Sequence, residues 1–496
     1  MAYKQHNFLY TSDQVRALDR LAIEQGGISS LQLMQRAGNT VFDYIVKHYP
    51  DTPITVFCGP GNNGGDGYVV ATLAQKQNIP VRLIYLKPPQ QLIGDAKLAH
   101  DIAHQANVAM INFSKEIELK NGVVVDALLG TGLKDAVKGS YYNAIEIINK
   151  SNLAVVAVDL PSGLNADTGD IASICVKAVA TISFIGLKQG LFTHFGPDYC
   201  GNIVFEGLQI DPVLFGDVHP PSAKLQLSEL LKHLIPRKPS AHKNNYGHVL
   251  VIGGDYGYGG AVLLAAEAAL RTGAGLVSVA TRKEHVGAII ARRPEIMAHD
   301  IASAESLQYL LDKATVLIIG PGLGQSQWSK ELLTKALTSE LPSVLDADAL
   351  NLIGQEKIKL ERKNKLYILT PHPKEAARLL DENTVEIQNN RFAAVKKIAE
   401  RYHAQVLLKG AGSLVCIAED SAIGVCVTGN PGMATGGMGD VLSGIIGGLL
   451  AQGVNQGKCL PLAVCLHAEA GDIAAEKQQR SLLPSDLFNP LRRLIG

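Results

Sequence analysis

Short, mostly apolar runs recur along this chain, alternating with glycine turns and with stretches that carry apolar residues three or four apart, and three of the runs in the first half end in unusual polar loops. In the first half the runs are residues 54–58, 81–85, 123–126, 154–159 and 178–184. A run without alternation predicts a strand covered on both faces, and helical stretches between such strands predict a parallel sheet whose ligand crevice lies at the strands' carboxyl ends. Upstream, Thr11 and Gln14 have capping-box spacing, and a second helix is expected near residues 31–48.

Between residues 216 and 245 the texture changes to His219-Pro220-Pro221, a short amphipathic stretch and Pro236-Arg237-Lys238-Pro239-Ser240. A second series follows at residues 248–252, 276–280, 315–319, 343–346, 366–369 and 406–409, ending in long helical stretches after Asp440 and Leu460. The two series share a class and no alignable repeat. The expectation is therefore an α/β protein of two different α/β domains, residues 1–215 and 246–496, joined by a linker over 216–245.

Composition narrows the function classes. Lys+Arg number 46 and Asp+Glu 46, so no net charge draws the chain to nucleic acid or to an anionic membrane. The seven cysteines are odd in number and never spaced as CxxC, which reads as buried thiols of a reducing compartment. The first residues lack an apolar core and the apolar stretches are too short or interrupted to span a bilayer, so a cytoplasmic protein is expected.

Three loops of the first half carry candidate chemistry. Gly59, Gly61 and Gly64 match G-x-G-x-x-G ahead of a helix expected from Tyr68, which would let backbone amides approach a pyrophosphate. The acidic residue of a nicotinamide dehydrogenase is missing after the second strand, where Tyr85-Leu86-Lys87-Pro88 stands. A tight turn packing helix on strand would explain the glycines, but not the polar set Asn62, Asn63 and Asp66 beside them. Asp126 and Asp159 each end a buried strand; one such Asp is commonly a helix cap, two beside an Asn-rich loop point to a site. Asn63, Asp126 and Ser162 offer hard oxygen ligands for a weakly held cation, and Asp159 an acid or base.

These residues resemble the NAD(P)H-hydrate epimerase domain, a Rossmann-like doubly wound sheet, over roughly residues 1–215. The resemblance implies potassium at Asn63, Asp126 and Ser162. It implies the hydrated nicotinamide nucleotide at Asn62, Asn63, Gly64, Gly65 and Asp66, at Gly130, Thr131, Gly132, Leu133, Lys134, Asp135 and Ala136, and at Asp159. The implied reaction interconverts the R and S hydrates at C6 of the nicotinamide ring.

In the second half, residues 430–440 read Asn-Pro-Gly-Met-Ala-Thr-Gly-Gly-Met-Gly-Asp and open a helical run. Free amides and the positive end of a helix suit a transferring phosphoryl group, and Asp440 is placed to deprotonate an attacking hydroxyl. The bland alternative is an N-capping Asp after a flexible loop, which would need one residue and not four glycines and a threonine. Lys409, Gly410, Ala411, Gly412 and Ser413 form a turn able to hold a nucleotide phosphate or ribose, or a simple hairpin turn. His372, between two prolines at a helix start, reads as a substrate contact. Nothing matches the Walker pattern, which disfavours a P-loop NTPase.

From about His248 onward these loops resemble the ribokinase-like superfamily, and within it the ADP-dependent NAD(P)H-hydrate dehydratase. This implies a ribokinase-like sheet, the hydrated nucleotide at Ala261, Gly322, His372 and Asp440, and the adenine nucleotide at Lys409 to Ser413 and Gly439. Magnesium (Mg2+) would accompany ADP, and potassium (K+) the epimerase. Two consecutive steps of one repair pathway on one chain strengthen each other: substrates NADHX and NADPHX, with ADP as co-substrate, and an expected homo-oligomer. The alternatives left open are a hydroxyethylthiazole-type small-molecule kinase with a regulatory first half, and a first half that only binds or scaffolds.

Overall fold

The computed structural model describes residues 7–133, 135–216, 218–360, 365–417 and 422–496. The chain divides into two compact units, Met1–Ala223 and Lys224–Gly496.

The first unit opens with β1 (Phe8–Tyr10) and a helix Ser12–Glu24, whose Thr11 and Gln14 form the expected capping box. A second capped helix, Ser30–His48, buries Leu33, Ala37, Val41 and Ile45 on one face. There follow β2 (Ile54–Cys58), β3 (Val81–Tyr85), β4 (Ala109–Asn112), β5 (Val123–Ala127), β6 (Ala154–Val158), β7 (Ala180–Phe184), β8 (Leu187–Lys188), β9 (Asn202–Glu206) and β10 (Ser222–Lys224). Seven of them make a parallel sheet in the order β4-β3-β2-β5-β6-β7-β9. Counted from β2 this is 3-2-1-4-5-6-7, a doubly wound sheet whose connections reverse direction between β2 and β5. Loops after β2 and β5 therefore diverge and leave a crevice at their carboxyl ends.

The short strands outside that sheet matter for the site. β1 runs parallel to β8, setting Tyr10 opposite Lys188, while Leu9 and Phe8 pair with Ser222 and Ala223. The region expected to be a linker thus contains part of a pairing with the N-terminal strand, and a short helix Leu227–Leu230 follows it.

The second unit holds β11 (His248–Ile252), β12 (Leu276–Thr281), β13 (Met297–Asp300), β14 (Val316–Ile319), β15 (Ser343–Leu345), β16 (Tyr367–Leu369), β17 (Gln405–Leu408), β18 (Ser413–Cys416) and β19 (Ile423–Cys426). The order is β13-β12-β11-β14-β15-β16-β17-β18-β19, parallel through β17 and closed by an antiparallel hairpin. Helix Met438–Ala451 packs on helix Gly259–Thr272, and glycine makes the approach possible. A Cβ on Gly444 would overlap the carbonyl oxygen of Ala265, and one on Gly448 would stand 2.8 Å from that of Ala269. Among the described residues all seven cysteines are free and buried, and no helix is long and apolar enough to cross a membrane.

Candidate functional site

In the first unit a cavity of about 880 Å³ opens at the carboxyl ends of β2, β5 and β6. It is lined by Asn62, Asn63, Asp66, Gly130, Thr131, Gly132, Leu133, Asp135, Ala136 and Asp159. The expected site residues from three separate loops therefore meet, with two qualifications. Lys134 lies outside the described residues. Gly64 and Gly65 are absent from the lining, because the helix starts at Asn62 rather than near Tyr68 and both glycines point into packing. A Cβ on Gly64 would overlap the Gly59 carbonyl oxygen, and one on Gly65 the Met34 side chain. The glycine run thus seats the helix on its neighbours, and its polar residues line the cavity.

Asn63 is a lining residue whose polar side-chain atoms are buried out of reach of solvent. Its amide Oδ1 and Nδ2 are both buried, and neither has a hydrogen-bond partner among the described residues. Behind the lining, Asp126 and Ser162 are fully buried and bonded to each other. Ser162 donates its Oγ hydrogen to Asp126 Oδ1 at 2.6 Å and its amide to Oδ2 at 2.8 Å, and Leu128 N donates to Oδ1 at 3.2 Å. Burial pushes the Asp126 carboxyl up to about 6 against those hydrogen bonds. Asp126, a buried carboxyl to which no basic side chain among the described residues is bonded, and the unpartnered amide oxygen of Asn63 are oxygen donors of the kind a monovalent cation takes.

Asp159 follows β6 with a φ of 66° and accepts from the Phe184 amide at 3.2 Å. Its partner is Lys188, a fully buried ammonium that donates to Asp159, to the Phe184 carbonyl at 3.1 Å and to Ser183 Oγ at 3.3 Å. Lys188 and Asp19 both line the cavity and were missed from the sequence. For Lys188 the available signal was a charge set inside the apolar stretch Phe184-Ile185-Gly186-Leu187. Asp19 gave no signal, being one of several charges on an amphipathic helix.

In the second unit the carboxyl ends of β11, β14, β15, β16 and β17 present residues 253–255, 320–324, 346–348, 370–372 and 409–412 along one edge. Gly322, at a φ of 54°, sits against helix Gly259–Thr272: a Cβ there would stand 3.1 Å from that of Ala261. Lys409 Nζ donates to Asp346 Oδ1 at 2.9 Å and lies 4.0 Å from Glu375 Oε2. Ser443 holds the other Asp346 oxygen at 2.8 Å. A Cβ on Gly439 would stand 3.4 Å from Lys409 Nζ and 3.5 Å from Asp346 Oδ2, so the glycine loop abuts this ion pair.

Burial and the neighbouring Asp346 push Asp440 up to about 7, against the pull of Lys409. Burial also raises Glu375 to about 7 although Lys409 opposes it. Asp346 itself stays below the usual carboxylate range, because Lys409 and three hydrogen bonds outweigh its burial. Carboxyls of one site are thereby separated into ionised and protonatable members, the condition for acid–base work near neutral pH.

His372 is fixed by capping rather than by its flanking prolines. Its Nδ1 accepts from the amides of Lys374 (3.1 Å) and Glu375 (3.2 Å), and its own amide donates to Glu375 Oε2 at 2.8 Å. Burial and Lys409 pull the ring down to about 4, so it is neutral with its hydrogen on Nε2. Residues 409–413 are the turn of the β17–β18 hairpin, with Gly410 at a φ of 143°. Beneath it Arg391, 1% exposed, donates to the carbonyls of Leu408, Lys409 and Gly412 at 3.3–3.5 Å and to Gln388 Oε1 at 2.9 Å. Arg391 was likewise missed from the sequence. The 430–440 loop is anchored by Asp472, which accepts from Gly429 N at 2.8 Å and Asn430 Nδ2 at 2.9 Å. Among the described residues no group of three His, Cys, Asp or Glu side chains is arranged to hold a metal ion.

Known proteins share both halves. The family model described as NAD(P)H-hydrate dehydratase matches residues 249–493, and one described as YjeF-related protein N-terminus matches residues 30–190. The chain is 46% identical over 490 residues to the bifunctional NAD(P)H-hydrate repair enzyme Nnr of Coxiella burnetii, covering 98% of this chain and 99% of the relative. It is 41% identical to the Escherichia coli enzyme of the same description, covering 98% and 94%. Among solved structures, the ADP/ATP-dependent NAD(P)H-hydrate dehydratase of Bacillus subtilis, co-crystallised with ATP and Mg2+, matches at TM-score 0.50 and 28% identity over 54% of this chain and 96% of that one. A ribokinase-like superfamily protein of Enterococcus faecalis matches at TM-score 0.51 and 30% identity over 55% and 94%. End-to-end similarity of this depth, over two units that each carry a site, means that the chain belongs to the family of bifunctional NAD(P)H-hydrate repair enzymes, an epimerase and a dehydratase in one polypeptide.

Proposed function

We propose that the first unit interconverts R- and S-NAD(P)HX in its strand-end cavity and that the second uses ADP to return the S hydrate to NAD(P)H, releasing AMP and phosphate. The observation that carries this reading is Asp440, a carboxyl raised to about 7 in the first turn of helix Met438–Ala451, behind a glycine loop and beside Lys409. With the C6 hydroxyl of the hydrate near Asp440, the carboxylate takes its proton while the oxygen attacks the β-phosphorus of ADP and AMP leaves. Backbone amides around residues 436–439 and Lys409 offset the charge that builds on the phosphoryl oxygens. Phosphate is a better leaving group than hydroxide, so loss of phosphate from C6 and of a proton from C5 restores the ring double bond.

Ala261, Gly322 and the Nε2–H of His372 would hold the hydrate, and the hairpin turn of residues 409–413 with Gly439 the adenine nucleotide. Magnesium would arrive with the nucleotide phosphates and supply Lewis acidity at the transferring group; the B. subtilis relative's ATP and Mg2+ support this. ADP is taken as the donor. In the first unit Asn63, Asp126 and Ser162 would hold potassium, whose charge would neutralise Asp126 and fix the loop over the nucleotide. Seven free buried thiols fit a cytoplasmic setting, and association as a homo-oligomer is testable by sedimentation.

The test supplies racemic hydrated NADPH with ADP and magnesium and follows the return of reduced-nicotinamide absorbance. Complete recovery is expected. Recovery of only the S half, beyond the spontaneous rate, would reduce the first unit to a binding module; no recovery, with phosphorylation of another alcohol, would favour a kinase. Asp126→Ala is expected to weaken epimerisation at least tenfold, with a reduced response to added potassium, while dehydration of pure S hydrate is spared. Equal loss of both activities would remove the cation site as the cause.

A further inference from the structure

We propose that Asp19 is the second acid–base group of the epimerisation, working from the helical wall of the cavity while Asp159 works from the strand end. This rests on the epimerase reading of the first unit. Asp19 lies on helix Ser12–Glu24, ahead of the segment matched by the N-terminal family model, and it lines the same cavity as Asp159, Asp66 and Lys188. Two contacts seat that helix on the site. β1 pairs alongside β8 with Tyr10 opposite Lys188, and Arg16 donates to the Thr131 carbonyl at 3.4 Å, reaching the loop on the cavity's other rim. The unpartnered buried amide of Asn63 lines the same space and independently points to a ligand there.

The chemistry asks for two such groups. C6 of the hydrate carries both the hydroxyl and the ring nitrogen, so inversion can proceed by loss and return of water. One carboxyl gives its proton to the C6 oxygen; the C6–O bond breaks, water leaves, and the N1 lone pair becomes a C6=N1 double bond. Water then adds to the other face of C6, N1 recovers its lone pair, and the second carboxylate takes the released proton. The reverse direction exchanges the two roles, and net atoms and charge balance with water as the only co-reactant. Asp159 supplies the counter-charge that the fully buried Lys188 ammonium requires. Asp19 has no such direct partner among the described residues: burial pushes it up to about 6, Asp159 adding to the rise while Lys188 and Arg16 oppose it. Asp66, also facing the cavity, is driven well above the carboxylate range by burial and then by Asp159 and Asp19. A proton held on the helix side and a carboxylate on the strand side are what loss and return of water on two faces need.

The experiment measures R-to-S conversion of hydrated NADPH by the full chain, with dehydration of pure S hydrate as a control for folding and concentration. Asp19→Asn is expected to slow epimerisation about 10²-fold or more with little change in KM, and to abolish the limb of the kcat–pH profile near 6. Asp19→Glu is expected to regain part of the rate and the limb. A rate within threefold of the parent for Asp19→Asn, or a loss with the limb unchanged, would overturn the role of Asp19. A parent chain that fails to epimerise at all would instead overturn the reading on which it rests.

Discussion

Asp440→Asn is expected to lower dehydration of the S hydrate by about 10²–10⁴-fold, the span a general base contributes, and to leave epimerisation at its parent rate. Asn keeps the size of the side chain and its place in the first helical turn, so substrate and nucleotide KM values are expected to stay close to the parent's. What is lost is the capacity to take the hydroxyl proton. The pH dependence carries the sign of this role. Burial, with Asp346 and Asp348 adding to it and Lys409 opposing, places the Asp440 carboxyl at about 7. A base is active only when deprotonated, so parent kcat is expected to rise with pH through about 7 and to level off above it, and Asp440→Asn should lose that limb along with the rate. The measurement is initial velocity with pure S hydrate, ADP and magnesium across pH. Parent-like turnover of Asp440→Asn would remove the carboxyl from the proton transfer.

The strands were legible because burial on both faces leaves few polar positions, Thr55 in β2 being one, and the half-buried β3 keeps a single charge, Arg82. Residues 54–58 and 81–85 are read to the residue as β2 and β3, and Asp159 falls just beyond β6 because its positive φ ends the strand. Edge strands escaped for the converse reason: Ala109–Asn112 and Met297–Asp300 are half exposed and carry no continuous apolar signal. Of the antiparallel strands that follow β17 the sequence shows only the first turn: residues 409–413 read as a nucleotide loop or as a hairpin turn, and the backbone there turns from β17 into β18 with Lys409 on the site edge.

Loop chemistry was legible where one motif holds several polar groups, as at Asn62–Asp66 or 430–440. Partners brought by long-range packing were not. Lys188 finds Asp159 across 29 residues and Asp346 finds Lys409 across 63, and neither pairing has a local pattern. Arg391 is the extreme case: on the sequence it opens an ordinary amphipathic helix, yet its guanidinium is buried and bonded to the turn's carbonyls. Gly64, from a motif shared with phosphate loops, and its neighbour Gly65 also serve helix packing, which the motif alone does not reveal.

Lys409→Met is expected to give the largest loss of stability among single substitutions at this edge, about 3–5 kcal/mol, the usual consequence of stripping one partner from a buried ion pair. Lys409 is 23% exposed, and Asp346 and Glu375 beside it are 2% and 4% exposed. Methionine fills the space of the aliphatic stem but leaves Asp346 ionised in a site that water barely reaches, with only hydrogen bonds such as that from Ser443 to hold it. Glu375 and Asp440 respond differently, because both already titrate near 7: without the ammonium they take up protons and relieve part of the strain. The loss should accordingly shrink at lower pH, where Asp346 too begins to protonate. By thermal unfolding of the full chain, the transition that belongs to the second unit is expected to fall by on the order of 10 °C at neutral pH. Combining Lys409→Met with Asp346→Asn should recover part of that fall, since the uncompensated charge is then gone. Dehydration would stay low in both variants because the phosphoryl group loses its lysine. A transition unchanged in Lys409→Met, or a double variant no more stable than the single one, would mean that hydrogen bonds alone hold Asp346 and that Lys409 serves the nucleotide without supporting the fold.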